Sequence, residues 1–102
     1  MIRVTVSYPT AQGQRFDHDY YRQQHAALIR ELLSPFGLQR VEIDRGLADG
    51  SGGAPAIVAA AHLIFTDLDG FKAGMAAAGP RLMADLAHYT DTAPIVVVFD
   101  TV

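Results

Sequence analysis

The chain has four histidines, the residue type whose ordinary pKa lies closest to neutrality, and no cysteine to supply a thiolate. His25 stands out among them. It lies in the stretch Phe16-Asp17-His18-Asp19-Tyr20-Tyr21-Arg22-Gln23-Gln24-His25-Ala26-Ala27-Leu28. At helical spacing it falls in an otherwise apolar stripe with Tyr21, Leu28 and Leu32, so its imidazole is predicted to face the protein. A buried imidazole there either bonds a carbonyl or hydroxyl as part of the core, or gives and takes a proton in a pocket. Asp85 and Tyr89 are four residues apart, a spacing that presents a carboxylate and a phenol together or fixes the loop from Thr90 to Pro94. Tyr20 and Tyr21 read first as core packing, and Tyr21 also as a pocket wall beside His25. His62 sits in an apolar run, where it makes a structural hydrogen bond, a subunit contact or a ligand contact. The histidines show no HxxxH or HxxE spacing, so no metal site is expected. His18 and His88 read as exposed or loop residues.

These groups need elements to hold them. Ile2, Val4, Val6 and Tyr8 alternate with Arg3, Thr5 and Ser7, which predicts a first strand with one apolar face. Pro9 to Gly13 breaks it. Asp17 caps a helix and Asp19 adds charge to its first turn, and the helix runs to about Leu33 before Pro35 and Gly37 stop it. Leu38 to Arg45 alternates as an edge or half-exposed strand, and Leu47 to Pro55, with three glycines, is a loop of the kind that borders binding sites. Ala56 to Phe65 is apolar throughout except for His62, and Ile57, Val58, Ile64 and Phe65 mark it as a strand buried on both faces. Asp67 caps a second helix that Gly79-Pro80 is expected to end, with a further short helix over Arg81 to Ala87. Ile95 to Phe99 is the last strand, apolar on both faces. The order βαββαβ predicts an α+β, ferredoxin-like sandwich: a four-stranded antiparallel sheet with both helices on one face. A sheet apolar on both sides then needs a second cover, and another copy of the chain is the economical one.

At 102 residues the chain is expected to form one domain, residues 1–102. Half of it is hydrophobic and 19% is charged, which excludes disorder. The net charge is −3 and the eight Lys and Arg are scattered, so nucleic acid is not an expected partner. No signal peptide or span of about 20 apolar residues is visible, so neither a membrane partner nor export is expected. Together with the missing cysteines this points to the cytoplasm.

Phe16-Asp17, Tyr20-Tyr21 and His25, then Asp44-Arg45-Gly46-Leu47, Ala61-His62-Leu63-Ile64-Phe65, and Asp85 with Tyr89-Thr90 and Pro94, resemble the EthD family. That family is named for an accessory protein of ethyl tert-butyl ether degradation. The resemblance implies a dimeric α+β barrel, hence a homodimer, in the superfamily that also holds muconolactone isomerases, polyketide cyclases, cofactor-free monooxygenases and haem-binding members. Two positions depart from the family pattern: Ala27 where a proline is frequent, and Ile57 where an aromatic is frequent. No cofactor is expected. The resemblance moves His25 toward a pocket role, as the catalytic general acid/base of an isomerisation, cyclisation or cofactor-free oxidation. Tyr21, His62, Asp85 and Tyr89 become candidate substrate-binding residues for a small apolar, oxygen-bearing molecule: aromatic, lactone or polyketide-like. The competing reading is a non-catalytic accessory or carrier protein of an ether or aromatic degradation pathway, which needs the cavity but not the base.

Overall fold

A computed structural model describes residues 1–102. Strand β1 (Ile2–Pro9) lies at the centre, because its alternation leaves Val4 and Tyr8 on one face to be buried. It pairs antiparallel with β3 (Ile57–Phe65), Val4 opposite Leu63 and Tyr8 opposite Ala59. On its other side lies β4 (Ile95–Asp100), with Val6 opposite Val96. β2 (Leu38–Arg45) completes the sheet on the free edge of β3, giving the order β2-β3-β1-β4. Two helices cover one face, so the chain has the expected ferredoxin-like α+β fold.

The first helix occupies residues 18–33 and changes width. Asp17 caps it by accepting from the Tyr20 amide at 3.0 Å. After α-helical His18–Tyr20 comes a π-helical segment, Tyr21–His25, in which the Ala26 amide reaches back to the Tyr21 carbonyl. The α-helix resumes over Ala26–Leu33. The extra residue in the wide turn moves the inward face on by one position. The buried stripe is therefore Tyr21, His25, Ile29 and Leu33 with Ala26, and the expected Leu28 and Leu32 are only half-buried. Gly37, at φ 88°, then turns the chain into β2 in a conformation that side-chain-bearing residues avoid.

The second helix, Leu68–Asp85, is capped by Asp67 and does not stop at Gly79-Pro80 as expected. It continues unbroken through Pro80, so the predicted short helix over 81–87 is its last turn followed by a 3-10 turn, Leu86–His88. Proline is tolerated because Pro80 and Ala76 both face solvent, where water replaces the lost donor, and because Gly79 has no Cβ to clash with the ring. Because the helix is continuous, its last turn carries Leu82 and Asp85 over the first helix. Neither helix is long and apolar enough to cross a membrane.

The face away from the helices is not uniformly apolar as expected. On that face β3 carries Val58, Ala60 and Ile64 and the edge strand β4 carries Ile95, Val97 and Phe99, but β1 lies between them and presents Arg3, Thr5 and Ser7, and with Glu42, Asp44 and His62 the first two form a polar patch. Ile95, Val97 and Phe99 are between 43% and 53% exposed in the single chain.

Gly70 sets how closely the second helix approaches the turn that ends the first. A Cβ there would lie 2.3 Å from the Phe36 carbonyl oxygen. Gly70→Ala is therefore expected to destabilise the fold by about 2 kcal/mol despite alanine's better helix propensity. A lowered urea midpoint checks this, and an unchanged or raised midpoint contradicts it.

Candidate functional site

The chain entering the first helix is tied to the chain leaving the second. The Asp17 amide donates to the Tyr89 carbonyl at 2.8 Å, and Thr90 Oγ1 donates to the Arg15 carbonyl at 2.8 Å. Phe16 and Thr90 form an isolated β-bridge. These bonds hold the first turns of one helix against the last turn of the other. His25 is brought between Asp85 and Tyr89 in this way.

The residue is 5% exposed, and its imidazole is engaged on both nitrogens. Nδ1 lies 2.8 Å from Asp85 Oδ2, and Nε2 lies 3.3 Å from the Tyr89 hydroxyl. An ionised carboxylate can only accept, which assigns the ring proton to Nδ1 and leaves Nε2 as the acceptor. The second carboxylate oxygen, Oδ1, accepts from the Tyr20 hydroxyl at 2.8 Å. On the far side, the Tyr89 and Tyr8 hydroxyls are 2.6 Å apart. The Tyr21 ring stacks on the imidazole, with centroids 5.6 Å apart and planes 14° from parallel.

Burial lowers the His25 pKa below its ordinary 6.5, and the Asp85 contact only partly opposes this, so the ring is neutral at neutral pH. Burial pushes Asp85 upward, but the bonds from His25 and Tyr20 outweigh it and the carboxyl ends below its ordinary value. The pair is therefore a neutral imidazole aligned by a carboxylate, able to become an imidazolium with its counter-ion in place.

An apolar cavity of about 80 Å³ opens beside the ring, between the sheet and the helices. Fourteen of its sixteen lining residues are hydrophobic, and His25 is the one member that titrates near neutrality. Tyr8 and Tyr21 supply the other side-chain polar atoms. The Tyr21 residue is 1% exposed, and its hydroxyl makes no hydrogen bond within the chain, so burial drives its pKa far upward. Met83 and Val96, both more than half exposed, mark where the cavity opens, between the second helix and β4. A small-molecule pocket is commonly about 300–1,000 Å³, so this cavity is small, and the unbranched Met75 and Met83 are the most adaptable side chains in its wall.

The sequence-predicted residues divide cleanly. His25, Tyr21, Asp85 and Tyr89 come together, though not all in one wall. Asp85 and Tyr89 do not bond each other but bracket the imidazole from opposite sides, and Asp85 faces an outer groove with Tyr20, Arg81 and His88. His62 does not join them. It lies on the other face of the sheet, where Nδ1 is 3.0 Å from Thr5 Oγ1 and Nε2 is 3.0 Å from Asp44 Oδ2. Strand parity is the reason: Ala61 and Leu63 point to the cavity, so His62 points away. Tyr8 and Tyr20 are the residues that sequence reasoning missed. Tyr8 ends an alternating strand as one more apolar position, and only its hydroxyl signals a second role. No three His, Asp or Glu side chains converge in a metal-ligating arrangement.

The family model for the EthD domain matches residues 11–93. The chain belongs to the EthD family. It is similar to the crystal structure of an EthD-like protein from Ralstonia eutropha JMP134, at 35% identity and TM-score 0.92 over 99% of this chain and 91% of that one. An EthD family protein from Bacillus halodurans C-125 shares 16% identity at TM-score 0.77, over 100% of this chain and 99% of that one. A dimeric protein of unknown function with a ferredoxin-like fold, from Bacteroides fragilis, shares 11% identity at TM-score 0.56, over 97% and 94%. No curated protein matches the chain. The EthD match spans Tyr20, Tyr21, His25, Asp85 and Tyr89, whereas Tyr8 precedes it.

The His25 shift predicts how stability follows pH. The unfolded chain takes up a proton on His25 near 6.5, whereas the folded chain does so only at lower pH, so acidification through that interval favours unfolding. His18 is also lowered, by burial first, and adds a slope of the same sign. Asp85 acts in a separate window below its ordinary 3.8, where its stabilisation is lost as pH falls. Denaturation midpoints between about pH 7.5 and pH 5 should therefore fall in the native chain and fall less steeply in His25→Gln. Parallel slopes would contradict a buried neutral His25.

Proposed function

We propose that this EthD protein binds a small, neutral, mainly apolar molecule carrying a carbonyl or lactone oxygen in the cavity between sheet and helices, and that His25 stores the proton exchanged with it. The observation that carries this reading is the set of polar residues in an otherwise apolar wall: Tyr21, whose hydroxyl has no partner within the chain, stacked on a carboxylate-aligned imidazole. That hydroxyl is free to donate to a ligand oxygen, a hydrogen bond worth about 0.5–1.5 kcal/mol. The Tyr21 hydroxyl then polarises the carbonyl while a proton leaves the adjacent carbon and comes to rest on His25, giving an enol-type intermediate that isomerises or cyclises when the proton returns. Asp85 steadies the imidazolium. A highly charged substrate fits poorly, because no cation lines the cavity. Aromatic ketones and lactones are the first class to test.

We also propose that the chain works as a homodimer closed by the sheet face away from the helices. The exposed Ile95, Val97 and Phe99 support it, and so does the dimeric state named for the Bacteroides protein of like fold. Covering this face should bury on the order of 1,000 Å² or more. Light scattering should give a dimer at micromolar concentration, and Val97→Lys should shift it toward monomer by placing an unpaired charge in the interface. A monomeric native chain would contradict this.

Tyr21→Phe separates ligand recognition from packing. It should leave the ligand-free chain as stable as before or slightly more so, yet weaken binding of a neutral aromatic ketone by about tenfold, the worth of one buried hydrogen bond. Calorimetric titration with 2-indanone measures it. Equal affinity would remove Tyr21 from recognition, and no binding by the native chain would contradict the proposed ligand class. Binding with no detectable proton exchange would favour a carrier.

A further inference from the structure

Both ring nitrogens of His25 are occupied, Nδ1 by Asp85 at 2.8 Å and Nε2 by the Tyr89 hydroxyl at 3.3 Å. His25 lines the cavity, but both of its ring nitrogens already have partners within the chain. Tyr89 is fully buried and is not part of the cavity wall. Its hydroxyl is 2.6 Å from that of Tyr8, and Tyr8 does line the cavity. The four side chains form one continuous chain of hydrogen bonds from the cavity to the carboxylate, with Tyr8 at the cavity end.

We propose that Tyr8, not His25, is the catalytic residue that exchanges a proton directly with the ligand, and that Tyr89 relays that proton to His25. This rests on the proton-transfer reading of the cavity. The transfer balances without any other reactant. As the ligand's C–H bond breaks, its proton joins Tyr8 Oη. The Tyr8 proton passes to Tyr89 Oη, and the Tyr89 proton passes to His25 Nε2. Both tyrosines end neutral, the ligand keeps the electron pair as an enolate under the Tyr21 donor, and the positive charge rests on an imidazolium beside Asp85. The reverse sequence returns the proton to the ligand.

The surroundings suit the terminal role. Burial is the largest cause that raises the pKa of both hydroxyls, so each stays protonated at neutral pH and passes its proton on only as it takes another up. The Tyr8 ring is held edge-on by Phe16, Tyr21 and Tyr89, with centroids 5.2, 5.5 and 5.9 Å away, which fixes where its hydroxyl points. Tyr8 also sits at an irregularity in the pairing of β1 with β3, between Tyr8 and Pro9, a place where strands re-aim side chains.

The test is deuterium uptake by 2-indanone from D₂O, followed by NMR with the full-length chain. The native protein should accelerate uptake over buffer, and Tyr8→Phe, Tyr89→Phe and His25→Gln should each lose about tenfold or more of that acceleration with 2-indanone affinity kept within about twofold. The double variant Tyr8→Phe/Tyr89→Phe should fall no further than either single one, since each cuts the same relay; independent packing roles would instead add. If Tyr8→Phe does not fold, Tyr89→Phe decides by the same criterion. Full exchange in Tyr8→Phe alongside lost exchange in His25→Gln would overturn the Tyr8 step and leave His25 as the base. Native protein that binds the ketone without accelerating exchange would overturn the Tyr8 step together with the acid–base reading.

Discussion

The contact between His25 Nδ1 and Asp85 Oδ2 is the interaction on which the rest of the site depends. It joins the first helix to the last turn of the second at a place where both partners are largely removed from water, His25 at 6% and Asp85 at 13% side-chain exposure. A carboxylate there without a donor would be strongly unfavourable, so the contact satisfies Asp85 and at the same time selects the tautomer of the histidine. The hydrogen bonds beyond the ring follow from that selection. With the proton on Nδ1, Nε2 must accept, Tyr89 is the hydroxyl that can donate to it, and Tyr8 is the next one in line.

Such a chain needs rigid support, and the aromatic cluster provides it. Tyr8, Phe16, Tyr21 and Tyr89 contact one another edge-on or tilted at 4.9 to 5.9 Å, so their hydroxyls are placed by packing and not by the hydrogen bonds alone. The backbone ties between Asp17 and Tyr89, and between Arg15 and Thr90, hold the same region from outside. The opposite end of the cavity is different in kind. Met75 and Met83 are unbranched and adaptable and Val96 lies on an edge strand, so this end of the wall is less tightly constrained than the aromatic end. A second copy of the chain on the outer sheet face would stiffen β4 and with it this entrance.

Strand parity and helix caps are legible in the sequence because each rests on local chemistry: Asp17 and Asp67 cap where expected, and all four strands form. The burial of His25 is legible from its apolar neighbours. What sequence periodicity cannot supply is the phase of the first helix beyond His25, since the π-helical turn is set by packing against the sheet and moves the buried stripe from Leu28 and Leu32 to Ile29 and Leu33. Pro80 reads as a stop in the sequence because its tolerance depends on which side of the helix faces water. The pairing of His25 with Asp85, sixty residues on, is a long-range fact with no local signature, as is the link from Tyr8 to Tyr89. His62 is a second histidine among apolar residues, but strand alternation separates it from His25: opposite in parity to Leu63, it reaches Thr5 and Asp44 and not the cavity.

Neutron diffraction from crystals grown in D₂O near neutral pH tests the central claim most directly, because it sees the protons on the ring. A neutral His25 aligned by Asp85 requires deuterium on Nδ1, none on Nε2, and the Tyr89 deuteron directed at Nε2. Deuterium on both nitrogens, or on Nε2 alone, would contradict it.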